Sequence, residues 1–97
     1  MKTKEEILKV LHNLKENLKI KYKIKEIGVF GSVMRGEQKD TSDIDILVEF
    51  EDDADLLDLV GIAQFLEEKL QQKVDVVSKR ALREEIKETV LQEVESL

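Results

Sequence analysis

Ile44, Ile46, Val48 and Phe50 alternate with Asp43, Asp45, Leu47 and Glu49. A period of two marks a strand with one apolar face, so the aspartates share the other face, their Cα atoms about 6.5 to 7 Å apart. Two carboxylates so placed can converge on one divalent cation. With phosphate oxygens and water they can complete the octahedral shell of magnesium at about 2.1 Å. An Asp-x-Asp alone is a common spacing and is better read as a solubilising pair on a strand edge, so the neighbouring residues must decide.

Upstream, a β-prone run containing Ile24, Ile27, Val29 and Phe30 ends at Gly31-Ser32, with ten residues between Ser32 and Asp43. A glycine at the end of a strand lets the backbone approach a phosphate, and a serine hydroxyl can bond phosphate oxygens. A tight turn without a ligand is the competing reading. Neither GxxxxGK[ST] nor GxGxxG occurs, so the two familiar glycine-rich phosphate loops do not explain the turn. Arg35 can share a short helical turn with Ser32 and reach a phosphate or a carboxylate, or else form a surface ion pair. Asp75 interrupts the apolar run Val74, Val76, Val77. A carboxylate buried there needs a cation or strong hydrogen bonds. If its strand neighbours that of Asp43 and Asp45, the three form a carboxylate triad; otherwise Asp75 faces solvent.

The elements that must carry these residues are legible in the hydrophobic pattern. Thr3 and Glu6 have capping-box spacing, and Ile7, Leu11, Leu14 and Leu18 recur at helical spacing, predicting a first helix over about 4–21. Residues 32–41 read as one helical turn and a loop. After the acidic turn 51–55, Leu56, Leu57, Val60, Ala63, Leu66 and Leu70 predict an amphipathic helix capped by Asp53 or Asp55. Residues 74–77 predict a third strand, and Leu82, Ile86, Val90, Leu91, Val94 and Leu97 a C-terminal helix. The expected fold class is α/β in the order αβ(α)βαβα, with three strands in a small mixed sheet packed by helices. The helix between strands two and three permits a parallel pair, and the shorter link between strands one and two an antiparallel one.

At 97 residues the chain has room for one domain, burying about 65% of its unfolded surface. Cysteine is absent, which removes disulfides, thiolate metal sites and cysteine nucleophiles, and fits a cytoplasmic setting. No signal peptide or membrane segment is expected. Residues 1–25 carry net charge +5 and residues 26–97 net −11. An acidic body argues against wrapping a long nucleic acid, while a nucleotide carried with magnesium stays compatible. The aromatics are Tyr22, Phe30, Phe50 and Phe65, too few for an obvious nucleobase cage. His12 lies off the apolar stripe of its helix and is expected to be exposed. Glu37, Asp40, Ser42 and the acidic cluster of residues 49–58 read as loop solvation and capping rather than as ligands.

Gly31, Ser32, Asp43 and Asp45 together resemble the Gly-Ser, ten-residue, Asp-x-Asp signature of the minimal nucleotidyltransferases in the DNA-polymerase-β-like superfamily. The resemblance extends over nearly all of residues 1–97, read as a single nucleotidyltransferase domain, and includes a third acidic position, Asp75. Val33 and Met34 depart from the aromatic and alanine that the family often carries there. The resemblance implies a polymerase-β-like fold that transfers a nucleoside monophosphate from a triphosphate to a hydroxyl with release of pyrophosphate. It implies two Mg2+ ions held by Asp43, Asp45 and Asp75 as catalytic and metal residues, and nucleotide binding by Gly31 and Ser32, with Arg35 as a further candidate. Small members of this kind pair with HEPN-domain toxins, so the implied partners are ATP or another nucleoside triphosphate and a HEPN toxin carrying the acceptor tyrosine. Two alternatives stand beside this reading. One is an antitoxin that masks its toxin sterically without transfer; the other is transfer to a small-molecule alcohol, whose pocket would require a homo-oligomer.

Overall fold

The structure is a computed structural model, described here for residues 2–37, 39 and 43–97. The first helix, α1 (Lys4–Tyr22), starts where the sequence places it. The Glu6 N–H donates to Thr3 Oγ1 at 3.2 Å, and the Thr3 N–H donates to Glu6 Oε1 at 2.9 Å. Hydrogen bonding by the Thr3 backbone, and secondarily its hydroxyl, holds the Glu6 carboxyl below the usual carboxylate range. Ile7, Leu11 and Leu18 are buried on one stripe, while His12 is exposed.

Four strands follow: β1 (Ile24–Phe30), β2 (Ile44–Phe50), β3 (Val74–Ser78) and β4 (Glu95–Ser96), in the sheet order β3-β2-β1-β4. As expected, β1 and β2 pair antiparallel, and β2 and β3 pair parallel. The connection between the parallel strands is α3 (Leu56–Leu70), long enough to make the return crossover that a parallel pair requires. A single helical turn, α2 (Ser32–Arg35), follows β1, and α4 (Glu84–Glu93) precedes β4.

Ile44, Ile46 and Val48 on β2 pack with Ile27 and Val29 of β1 against Ile7, Leu11 and Leu18 of α1 and Ile62, Leu66 and Leu70 of α3. This core lies on one face of the sheet. The alternate residues Asp45, Leu47 and Glu49 point to the other face. There Leu47 is buried beside a cavity of about 120 Å³ that Leu91 and Val94 also line.

Two sequence expectations change. The sheet has a fourth strand, because the chain leaves the helix at Glu93 and Val94–Leu97 do not continue it. Glu95 and Ser96 pair with Val29 and Gly28, and a Cβ on Gly28 would stand 2.6 Å from Val94 Cγ2 and 2.9 Å from the Glu95 carbonyl oxygen. The close approach exists because residue 28 has no side chain. The apolar face of α3 is also rotated: Leu56, Leu57 and Val60 are exposed, and Ile62 joins Leu66 and Leu70 inside. At 100° per residue, Leu57 and Val60 fall on roughly the opposite side of the helix from Ile62. Of the two expected caps, Asp53 and Asp55, it is Asp55 that caps α3, its Oδ1 accepting the Asp58 N–H at 3.1 Å. Asp40 and Ser42, read as loop solvation, lie outside the described residues. Among the described residues, no helix is long and apolar enough to cross a membrane.

Candidate active site

Strand β1 delivers Gly31 to the side of Asp45, because Phe30 and Asp45 are partners in the antiparallel register. Gly31 is buried, with φ 77° and ψ −148°, a conformation open in practice to glycine alone. The turn after it is closed by the Arg35 N–H donating to the Gly31 carbonyl at 3.1 Å and the Glu37 N–H donating to the Ser32 carbonyl at 2.8 Å. Val33, fully buried, anchors that turn in the core. Valine and methionine at positions 33 and 34 thus pack inward, and Met34 lies against the same core cluster.

Asp45 and Asp75 are direct partners in the parallel register of β2 and β3. Partners in a parallel ladder project to the same face, so the strand order brings Asp75 to the Asp-x-Asp that the sequence could only place thirty positions away. Asp75 is exposed and Asp45 half-buried, while Asp43, exposed, sits just before β2. Burial pushes the Asp45 carboxyl above its usual range, and the charges of Asp75 and then Asp43 push it further. Arg35 opposes the shift and Glu93 adds to it. The Asp45 carboxyl therefore feels both neighbouring acids, and the local field disfavours its ionised form.

That field and the all-oxygen donor set match what a hard divalent cation needs. Among the described residues, however, no three His, Cys, Asp or Glu side chains close into a coordinating group. The structure assembles the aspartates on one face without drawing them to coordinating geometry. The larger cavities lie elsewhere. One of about 530 Å³, lined by Lys25, Phe50, Lys79 and Lys87 among others, opens at the far end of the sheet; another of about 540 Å³ lies between the start of α1 and α2. Only the second includes a predicted site residue, Arg35. The carboxylate face is open rather than a closed pocket, and cavity size does not locate it.

Arg35 is occupied. Its Nη1 donates to Glu93 Oε1 and Oε2 at 2.9 and 3.0 Å, and its Nε donates to Glu37 Oε2 at 3.2 Å. These bonds, Glu93 first, raise the guanidinium above its ordinary value, so it remains a cation throughout the accessible pH range. Glu93 Oε1 also accepts the Gly31 N–H. The contact is made by a residue that sequence reasoning missed. Glu93 belongs to the last turn of α4 and reads there as an ordinary solvated acid; only the docking of α4 on the sheet brings it to the turn.

Known proteins resemble this chain in sequence and in fold. A family model described as a nucleotidyltransferase domain matches residues 11–96. A protein of Thermococcus cleftensis named protein adenylyltransferase MntA is 46% identical over 94 residues, covering 97% of this chain and 95% of that protein. A solved structure provisionally described as a minimal nucleotidyltransferase superposes with a TM-score of 0.85 at 36% identity, covering 99% of this chain and 97% of the other. Two solved complexes are also similar. A toxin–antitoxin with AMP-PNP has a TM-score of 0.69 at 29% identity, covering 96% of this chain and 70% of that one. A tri-AMPylated Shewanella oneidensis HEPN toxin in complex with MNT antitoxin has a TM-score of 0.60 at 27% identity, covering 96% and 66%. With the Gly-Ser turn, the paired aspartates and the third carboxylate on one face of a sheet of matching topology, the chain belongs to the nucleotidyltransferase domain family.

Proposed function

We propose that this protein transfers AMP from ATP to a tyrosine hydroxyl of a partner HEPN toxin, releasing pyrophosphate, and so acts as its antitoxin. The observation that carries the reading is the placement of Asp45 opposite Asp75 and beside the buried Gly31, in a chain 46% identical to a protein adenylyltransferase over nearly its whole length. The similar complexes, one with AMP-PNP and one with an AMPylated toxin, support ATP as donor and a HEPN protein as acceptor.

In the reaction the tyrosine oxygen forms a bond to the α-phosphorus, the bond from that phosphorus to the bridging oxygen breaks, and pyrophosphate leaves with that oxygen. The hydroxyl proton passes to solvent. There is little covalent chemistry for the protein to perform, so its work is positioning and charge. Gly31 and Ser32 hold the outgoing phosphates: the buried glycine brings the backbone close, and the Ser32 hydroxyl serves as a donor. Arg35 supplies positive charge on the same side. Asp43, Asp45 and Asp75 would hold two Mg2+ ions, which supply neutralisation of the triphosphate and activation of the acceptor hydroxyl when bound. The raised Asp45 carboxyl supports this assignment, since a cation offsets the repulsion among the three acids.

The test is incubation with labelled ATP, magnesium and a HEPN protein. Label is expected on a tyrosine of the toxin, with stoichiometric pyrophosphate, and Asp43→Asn or Asp45→Asn abolishes both. Undiminished transfer by these two variants overturns the assigned site. Neutralisation of the toxin by an Asp45→Asn variant that no longer transfers overturns the claim that transfer is how the antitoxin works.

A further inference from the structure

We infer that the Glu93 carboxylate is an internal stand-in for a phosphate group: it occupies the donors of the Gly31 turn, and an incoming triphosphate must displace it. The inference rests on the nucleotidyl-transfer reading and concerns how that same site is regulated.

The geometry is that of anion recognition. One carboxylate takes both oxygens to the Arg35 guanidinium, and one of those oxygens also takes the Gly31 N–H. The carboxylate offers these two donors what a phosphate would also offer, anionic oxygens that accept from a guanidinium and a backbone amide together. The contact spans 58 positions to Arg35 and 62 to Gly31, so it depends on tertiary structure rather than local chain geometry. The Glu93 side chain is only 19% exposed, so it lies within the turn instead of sampling solvent above it. It also adds negative charge near Asp45, where the three aspartates already repel one another.

The backbone beneath Glu93 is fixed. Glu95 and Ser96 pair with Val29 and Gly28, the Leu97 N–H donates to the Ile27 carbonyl at 3.0 Å, and Lys15 Nζ donates to the Leu97 carbonyl. Release therefore proceeds by rotation of the Glu93 side chain, with α4 and β4 staying in place. A triphosphate of higher charge competes for the donors, and the freed carboxylate moves toward solvent. The protein thereby sets a threshold below which weakly charged anions do not enter the turn.

The experiment is calorimetric titration of the wild type, Glu93→Gln and Glu93→Ala with inorganic tripolyphosphate and, separately, with a non-hydrolysable ATP analogue. Removal of the competitor is expected to tighten binding about tenfold in Glu93→Ala, the scale of one charge-assisted pair, and by less in Glu93→Gln. The Gly31 amide resonance should shift on titration of the wild type and start already shifted in Glu93→Ala. A tether that only pins α4 predicts the opposite: lower thermal stability with unchanged or weaker affinity. Either that result or an absence of binding by all three forms overturns the inference, and Glu93→Gln keeps the test valid should the alanine variant unfold. The two readings fail separately. Transfer activity with Glu93-independent affinity overturns only the displacement model, whereas tighter tripolyphosphate binding by the variants without any transfer overturns only the proposed reaction.

Discussion

A Cβ built on Gly31 would lie 2.0 Å from Asp45 Oδ2. Asp45 cannot simply swing away, because its own Cγ and Cβ would stand at 2.9 and 3.1 Å from the same point. The phosphate turn and the strand aspartate are thus fitted to each other through a missing side chain. Gly31→Ala combines this clash with a backbone conformation hostile to any Cβ, and should cost at least about 2 kcal/mol, lowering Tm by about 8 °C or more in a domain of this size. Thermal unfolding at neutral pH measures it; an unchanged Tm would show that the turn and Asp45 are not in contact.

Asp75 should matter as much to transfer as its strand partner. Asp75→Asn and Asp45→Asn are each expected to reduce the transfer rate by at least about 10²–10³-fold, the scale of losing one strong electrostatic contact to a transition state. Asp75 is exposed, and its replacement should leave Tm nearly unchanged. Single-turnover transfer and melting curves on the same samples separate lost chemistry from lost structure.

The raised carboxyl of Asp45 has a consequence for stability against pH. The unfolded aspartate titrates near ~3.9, and the folded one higher. Between those values the native state holds more protons than the unfolded one, so stability falls as pH rises through that window. Asp45's contribution is fully present below the unfolded pKa and lost above the folded one. Asp45→Asn should therefore melt higher than the parent at neutral pH, with the difference narrowing as pH drops below about 4. Magnesium should raise the Tm of the parent but not that of the variant. A variant no more stable than the parent at neutral pH would contradict the electrostatic picture.

The reciprocal cap at the start of α3 offers a control remote from chemistry. Asp55 Oδ1 accepts the Asp58 N–H and Asp58 Oδ2 accepts the Asp55 N–H, at 3.1 and 3.0 Å. Asp55→Ala should cost about 0.5–2 kcal/mol and lower Tm by several degrees. Transfer per folded molecule should be unaltered, and a drop in that quantity would tie α3 to the site.

Local patterns in the chain set the strands that carry the chemistry and the residues on them. The alternation through β2 put Asp43 and Asp45 on one face, the Thr3 and Glu6 spacing started α1, and the glycine after β1 marked the turn. All three are local signals, set by the periodicity of a strand, by a cap or by one residue's conformational freedom. The remaining contacts come from packing between distant segments. Asp75 could equally have faced solvent alone, and only the parallel pairing of β2 with β3 made it the partner of Asp45. Leu57 and Val60 looked like core until the rotation of α3 gave that role to Ile62. Glu95 and Ser96 have no strand signal of their own, and pair because Gly28 admits them. Glu93 reaches Gly31 and Arg35 across about sixty positions, a meeting made by the packing of α4 on the sheet. Short-range physics wrote the site's parts into the chain, while long-range packing chose which charges face one another within it.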